Sequence, residues 1–131
     1  MTELEVFYFE NSNKLLTELF NYLQDHSSLK IKLEYYKSYA WEMRYSKQNS
    51  ASISVIIKGY TSASICIHSY MCGERPKPYF LALWKYNGHH EFYEEDMNEE
   101  QCKNYDYILD KINDFYGLHI SKTRYEQLTL F

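Results

Sequence analysis

Glycine is scarce in this chain. Four glycines stand among 131 residues, at Gly59, Gly73, Gly88 and Gly117, and a turn or helix end explains each. No glycine-rich loop that cradles a phosphate can be built from them, which excludes the common nucleotide-binding enzymes. The three cysteines, Cys66, Cys72 and Cys102, are odd in number and contain no Cys-x-x-Cys pair, a usage that suits a reducing cytoplasm better than a disulfide-stapled secreted domain. No continuous apolar run approaches the roughly 18 residues of a bilayer span. The N-terminal Met1-Thr2-Glu3-Leu4-Glu5 is acidic where a signal peptide would be basic, so a cytoplasmic protein without membrane contact is expected. Positive charge is also short: 14 Lys and Arg against 18 Asp and Glu leave a net charge of -4. That balance disfavours direct binding to a phosphate backbone.

Aromatic side chains are what the chain has in excess. Fifteen tyrosines accompany seven phenylalanines, and hydrophobic residues make up 45% of the total, enough to fold one core. Tyrosine joins a large apolar ring to a hydroxyl that tolerates partial exposure, which suits half-buried sheet faces and binding surfaces alike.

Hydrophobic periodicity predicts an α+β domain over residues 1–118. Val6-Phe7-Tyr8-Phe9 is a short β-prone run, and Glu10-Asn11-Ser12-Asn13 after it is rich in turn and N-cap residues. Leu15, Leu16, Leu19, Phe20 and Leu23 then recur at helical spacing, down to His26-Ser27-Ser28. From Ile31 to Tyr45 apolar residues take the odd positions, the period of a strand, with a bend at Lys37-Ser38. Runs around Ile53 to Ile57 and Ile65 to Ile67 read as an antiparallel pair. Cys72 to Pro78 is a loop punctuated by two prolines, followed by a strand from Tyr79 to Tyr86. Asn87-Gly88 predicts a type I′ hairpin into His89-His90-Glu91-Phe92-Tyr93. Asn98 and Gln101 approximate a capping box ahead of a second amphipathic helix that closes at Gly117. The architecture expected is an antiparallel sheet of about five or six strands with two amphipathic helices packed on one face.

Catalytic signatures do not emerge. Adjacent His89 and His90 on a strand point to opposite faces, so they do not share a metal without distortion, and the carboxylates near them read as a solvated hairpin end. Cys66, His68 and Cys72 lack the elbow or paired-thiol frame of a nucleophilic or redox centre. No acid, base, nucleophile or cofactor set is therefore assigned. The acidic stretch holding Glu91, Glu94, Glu95 and Asp96 admits a functional alternative to simple solvation. A negative face could pair with a basic partner, as in immunity or anti-defence proteins that neutralise an enzyme by direct binding.

Residues 119–131 form a tail: a polar spacer from His119 to Arg124, then Gln127-Leu128-Thr129-Leu130-Phe131 at the carboxylate end. These last five residues can be read as an edge strand or an apolar hook on the core. They also resemble the docking peptide by which bacterial polymerases, mismatch-repair proteins and replication regulators bind the DNA sliding clamp. That family's pattern is a glutamine, a leucine, a small or acidic residue, a leucine and a phenylalanine, and Thr129 takes the small slot. The resemblance covers these five positions of the 131. It implies that Gln127 hydrogen-bonds at a pocket rim, Leu128 fills an apolar depression, and Leu130 and Phe131 enter a deeper pocket. It implies an accessory or inhibitory factor of replication, encoded by a bacterium or by a phage or plasmid, with the sliding clamp as partner.

Overall fold

Neither proline nor glycine falls between Glu3 and His26, so backbone chemistry sets no helix breaker there. In the computed structural model, which describes residues 3–36, 50–70 and 77–120, this stretch is a single helix, α1 (Glu3–His26). The strand expected at Val6-Phe7-Tyr8-Phe9 is instead the beginning of α1. Tertiary packing overrides its β-propensity: Phe9 is buried in line with Leu16, Leu19 and Leu23, and the Tyr8 ring meets Tyr79 edge-on at 5.5 Å. The cluster expected to cap a helix lies inside one, where Ser12 bonds within the helix and Asn11 and Asn13 fasten it to the sheet. Ser12 Oγ donates to the Phe9 carbonyl at 2.7 Å, Asn13 Oδ1 accepts the Ala51 N–H at 3.1 Å, and Asn11 Nδ2 donates to the Tyr79 hydroxyl.

Among the described residues five strands follow: β1 (Ile31–Tyr36), β2 (Ser50–Val55), β3 (Ser62–Tyr70), β4 (Lys77–Tyr86) and β5 (His90–Met97). They form an antiparallel meander in the order β1-β2-β3-β4-β5. The strand expected from Ile31 is observed to Tyr36, with Ile31 and Leu33 half-buried but Tyr35 exposed, and Tyr39, Trp41, Met43 and Tyr45 lie outside the described residues. The register of β3 on β4 shifts between His68 and Tyr70, opposite Pro78, which has no N–H to give the ladder. Asn87-Gly88 does turn β4 into β5, but not as a type I′ turn. Tyr86 pairs with His90, so the loop is Asn87, Gly88 and His89. Gly88 sits at φ +84° and no described non-glycine residue has positive φ, whereas type I′ would require one at Asn87.

Register divides the sheet into two chemically different faces. Ile53, Ile65, Leu81, Leu83 and Met97 point one way and join Leu15, Leu16, Leu19 and Leu23 of α1 in one buried cluster. Each fully buried leucine or isoleucine there contributes about 1.5–3 kcal/mol. Ile108, Leu109, Ile112 and Tyr116 belong to the same cluster. They come from α3 (Tyr105–Tyr116), which is preceded by the short α2 (Glu99–Lys103). The fold is thus α+β, with three helices among the described residues where two were expected.

The second expected helix is split at Asn104. The capping box forms in both directions, Gln101 N–H to Asn98 Oδ1 and Asn98 N–H to Gln101 Oε1, each at 2.8 Å. Asn104 then leaves the helical region (φ -82°, ψ 84°) and caps α3 by accepting from the Tyr107 N–H at 3.2 Å. Gly117 closes α3 in the left-handed conformation, as its sequence position predicts. Beyond it, Asn113 exchanges two 2.9 Å hydrogen bonds with the backbone of Ile120, which carries the first residues of the expected tail along the body.

Candidate functional site

The other face of the sheet bears Phe80, Ala82, Trp84 and Tyr86 of β4 and His90, Phe92, Glu94 and Asp96 of β5, paired in register. Ser52, Ser64 and Cys66 continue it across β2 and β3. None of these side chains belongs to the helix-bearing core cluster. Among the described residues, no helix supplies a layer over this face. Four of its aromatic rings form a contiguous array. The Trp84 indole lies parallel to Tyr86 at 6.4 Å and 5.4 Å from His90, and His90 stacks on Phe92 at 5.8 Å. Trp84 Nε1–H donates to His90 Nδ1 at 3.0 Å, which fixes the indole plane and requires the tautomer with its proton on Nε2. Phe92 remains 65% exposed, a large apolar surface to leave in water.

Four carboxylates singled out from sequence do not form one patch, because strand alternation divides them. Glu91 and Glu95 stand on the helix-bearing side, whereas Glu94 and Asp96 stand exposed on the aromatic side. Glu95 accepts the Tyr93 hydroxyl at 2.7 Å and the Tyr107 hydroxyl at 2.6 Å. The Lys111 ammonium lies 5.2 Å from the Tyr107 ring centre. Burial acts to raise the Glu95 carboxyl, but the Tyr107 and Tyr93 hydrogen bonds with Lys111 outweigh it and hold the group lowered. The bond to Glu95, with burial, pushes Tyr93 up to about 12. This cluster ties β5 to α3, and its tyrosines are poor nucleophiles. Glu91 meets the Tyr60 hydroxyl at 3.5 Å.

The cysteines are equally unreactive in setting. Burial pushes the Cys66 thiol up, opposed by hydrogen bonds with Ser52 and Ser64. Burial and then the nearby Glu99 push Cys102 up to about 11. Both stay protonated near neutral pH, so neither supplies a thiolate. Cys72 and the candidate docking residues Gln127, Leu128, Thr129, Leu130 and Phe131 lie outside the described residues. No group of three or more metal-ligating side chains is found among the described residues. A hollow of about 210 Å³ between the end of α1 and the chain after α3 holds His26 and His119, but its lining has no carboxylate or thiol to complete an acid-base set. Among the described residues, no helix is long and apolar enough to cross a membrane.

The aromatic array was not assembled by sequence reasoning, although a signal for it exists. From Tyr79 to Tyr86 every residue but Lys85 is apolar or aromatic, so β4 lacks the alternation that a strand with one wet face should show. No protein-family model, curated protein or solved structure matches the chain.

Proposed function

We propose that this protein acts by binding other proteins and that its peptide Gln127-Leu128-Thr129-Leu130-Phe131 docks on the bacterial DNA sliding clamp. The observation that carries the reading is the fit of all five residues to the clamp-docking pattern. Burying Leu128, Leu130 and Phe131 in apolar pockets gains about 1.5–3 kcal/mol each, and ordering an extended peptide opposes this, which sets affinity on the micromolar scale. A ring-shaped clamp with several equivalent sites raises the effective affinity of such a ligand when more than one copy is linked. The α+β body is then cargo brought to the replication fork or a block to other clamp clients. These outcomes share the same docking residues.

Binding of the full chain to immobilised clamp, compared with a variant ending at Glu126, tests the proposal. The full chain should bind and the shortened one should not. Equal binding by both, or none by the intact protein, would contradict it.

A further inference from the structure

We infer that the aromatic face of β4 and β5 seats a cationic side chain, arginine before lysine, presented by a protein partner. This surface is separate from the proposed docking peptide. Along β4, Phe80, Ala82 and Trp84 share the face at strand spacing, about 7 Å from one to the next. The small Ala82 therefore forms a step between two rings. Directly opposite Ala82 in register stands Glu94, exposed; opposite Trp84 stands Phe92, and opposite Phe80 stands Asp96. On the inner side Ala82 pairs with Cys66, whose protonated thiol adds no charge.

Glu94 and Asp96 give this surface negative charge. Among the residues of β3, β4 and β5 whose side chains are described, no lysine or arginine stands on this face. Lys32, on the same face, lies on the far edge strand β1 and pairs with Glu34 at 4.0 Å. Aromatic rings present the negative end of their quadrupole to whatever lies over them, and a carboxylate beside them adds a full negative charge. A cation entering the step meets both attractions at once, while its methylene stem covers Ala82. Arginine fits better than lysine because its planar guanidinium stacks on an indole and still donates to a carboxylate. The indole is already held by His90, so little side-chain ordering accompanies binding. A nucleic acid could use the same rings for stacking, but Glu94 and Asp96 would repel its phosphates.

The test is a titration of full-length ¹⁵N-labelled protein with a short diarginine peptide and a matched diglutamate peptide. The Trp84 indole N–H and backbone amides of residues 82–94 should shift with the arginine peptide and stay still with the glutamate one. Glu94→Gln should weaken arginine binding at least fivefold, Ala82→Leu should fill the step and abolish it, and Glu100→Gln on α2 should leave it unchanged. Amide dispersion elsewhere in the spectrum reports that each variant is folded, and Glu94→Gln decides alone if Ala82→Leu is not. Absence of shifts, equal response to the glutamate peptide, unchanged affinity in Glu94→Gln, or the same shifts with oligo-dT would each overturn the inference. No clamp is present in this assay, so its failure and that of the docking peptide are separable.

Discussion

Replacing Glu95 with glutamine removes a charge that two tyrosine hydroxyls and a lysine are arranged to hold. The carboxylate accepts from Tyr93 and Tyr107, residues of β5 and α3, and so joins a strand at the sheet edge to the helix packed on it. Hydrogen bonds to a charged group are worth about 1.5–3 kcal/mol each, but this group is half-exposed and solvent screening reduces its share. A net loss of about 1–2 kcal/mol is therefore expected for Glu95→Gln at neutral pH. In a domain of this size that lowers the melting temperature by about 3–8 °C. The sign of the pH dependence follows from the lowered folded-state pKa. The stabilisation is complete above the unfolded glutamate value of about 4.3 and is lost as pH falls through the lower folded value. Urea denaturation of wild type and Glu95→Gln between pH 7 and pH 3 reads this directly: the gap between them should close on acidification. A gap that is absent at pH 7, or that widens as pH falls, would refute the reasoning.

Two further outcomes follow from buried groups. The Tyr116 hydroxyl donates to the Ser64 carbonyl and accepts from the Trp84 N–H at 3.3 Å, bridging β3 and β4 from α3. Tyr116→Phe should thus cost about 1–2 kcal/mol, measured by chemical denaturation. In a Cys72→Ser background, Cys66 and Cys102 should react slowly with a thiol reagent at pH 8. Denaturant should accelerate both, because burial rather than chemistry protects them; rapid reaction of the folded protein would contradict their placement.

Much of this fold was legible because local chemistry and tertiary outcome agree. Asn87-Gly88 placed the hairpin, Gly117 placed the end of α3, and the alternation through Ile53 and Ile65 placed paired strands. The failures lie where distant contacts decide. Val6 to Phe9 prefers a strand locally, yet Phe9 lines up with the leucines of α1 and is buried with them. Asn11, Ser12 and Asn13 carry cap chemistry, but two of their side chains are used by Tyr79 and Ala51, partners far along the chain. Asn104 broke a continuous apolar stripe because one side chain could cap a new helix. Glu91 to Asp96 read as one acidic patch until alternation sent Glu95 to two tyrosines and Glu94 to the aromatic side. The face built by Trp84, His90 and Phe92 depends on the pairing of β4 with β5, which composition alone does not specify.

The proposed clamp docking is most directly tested by the affinity of the full chain for purified sliding clamp, measured beside a Leu130→Ala, Phe131→Ala double variant. Removing two anchors worth about 1.5–3 kcal/mol each should weaken binding by about 100-fold or more. Micromolar binding by the wild type with loss in the double variant is the predicted result. Binding that is indifferent to Leu130 and Phe131, or no binding by the intact chain, would contradict it.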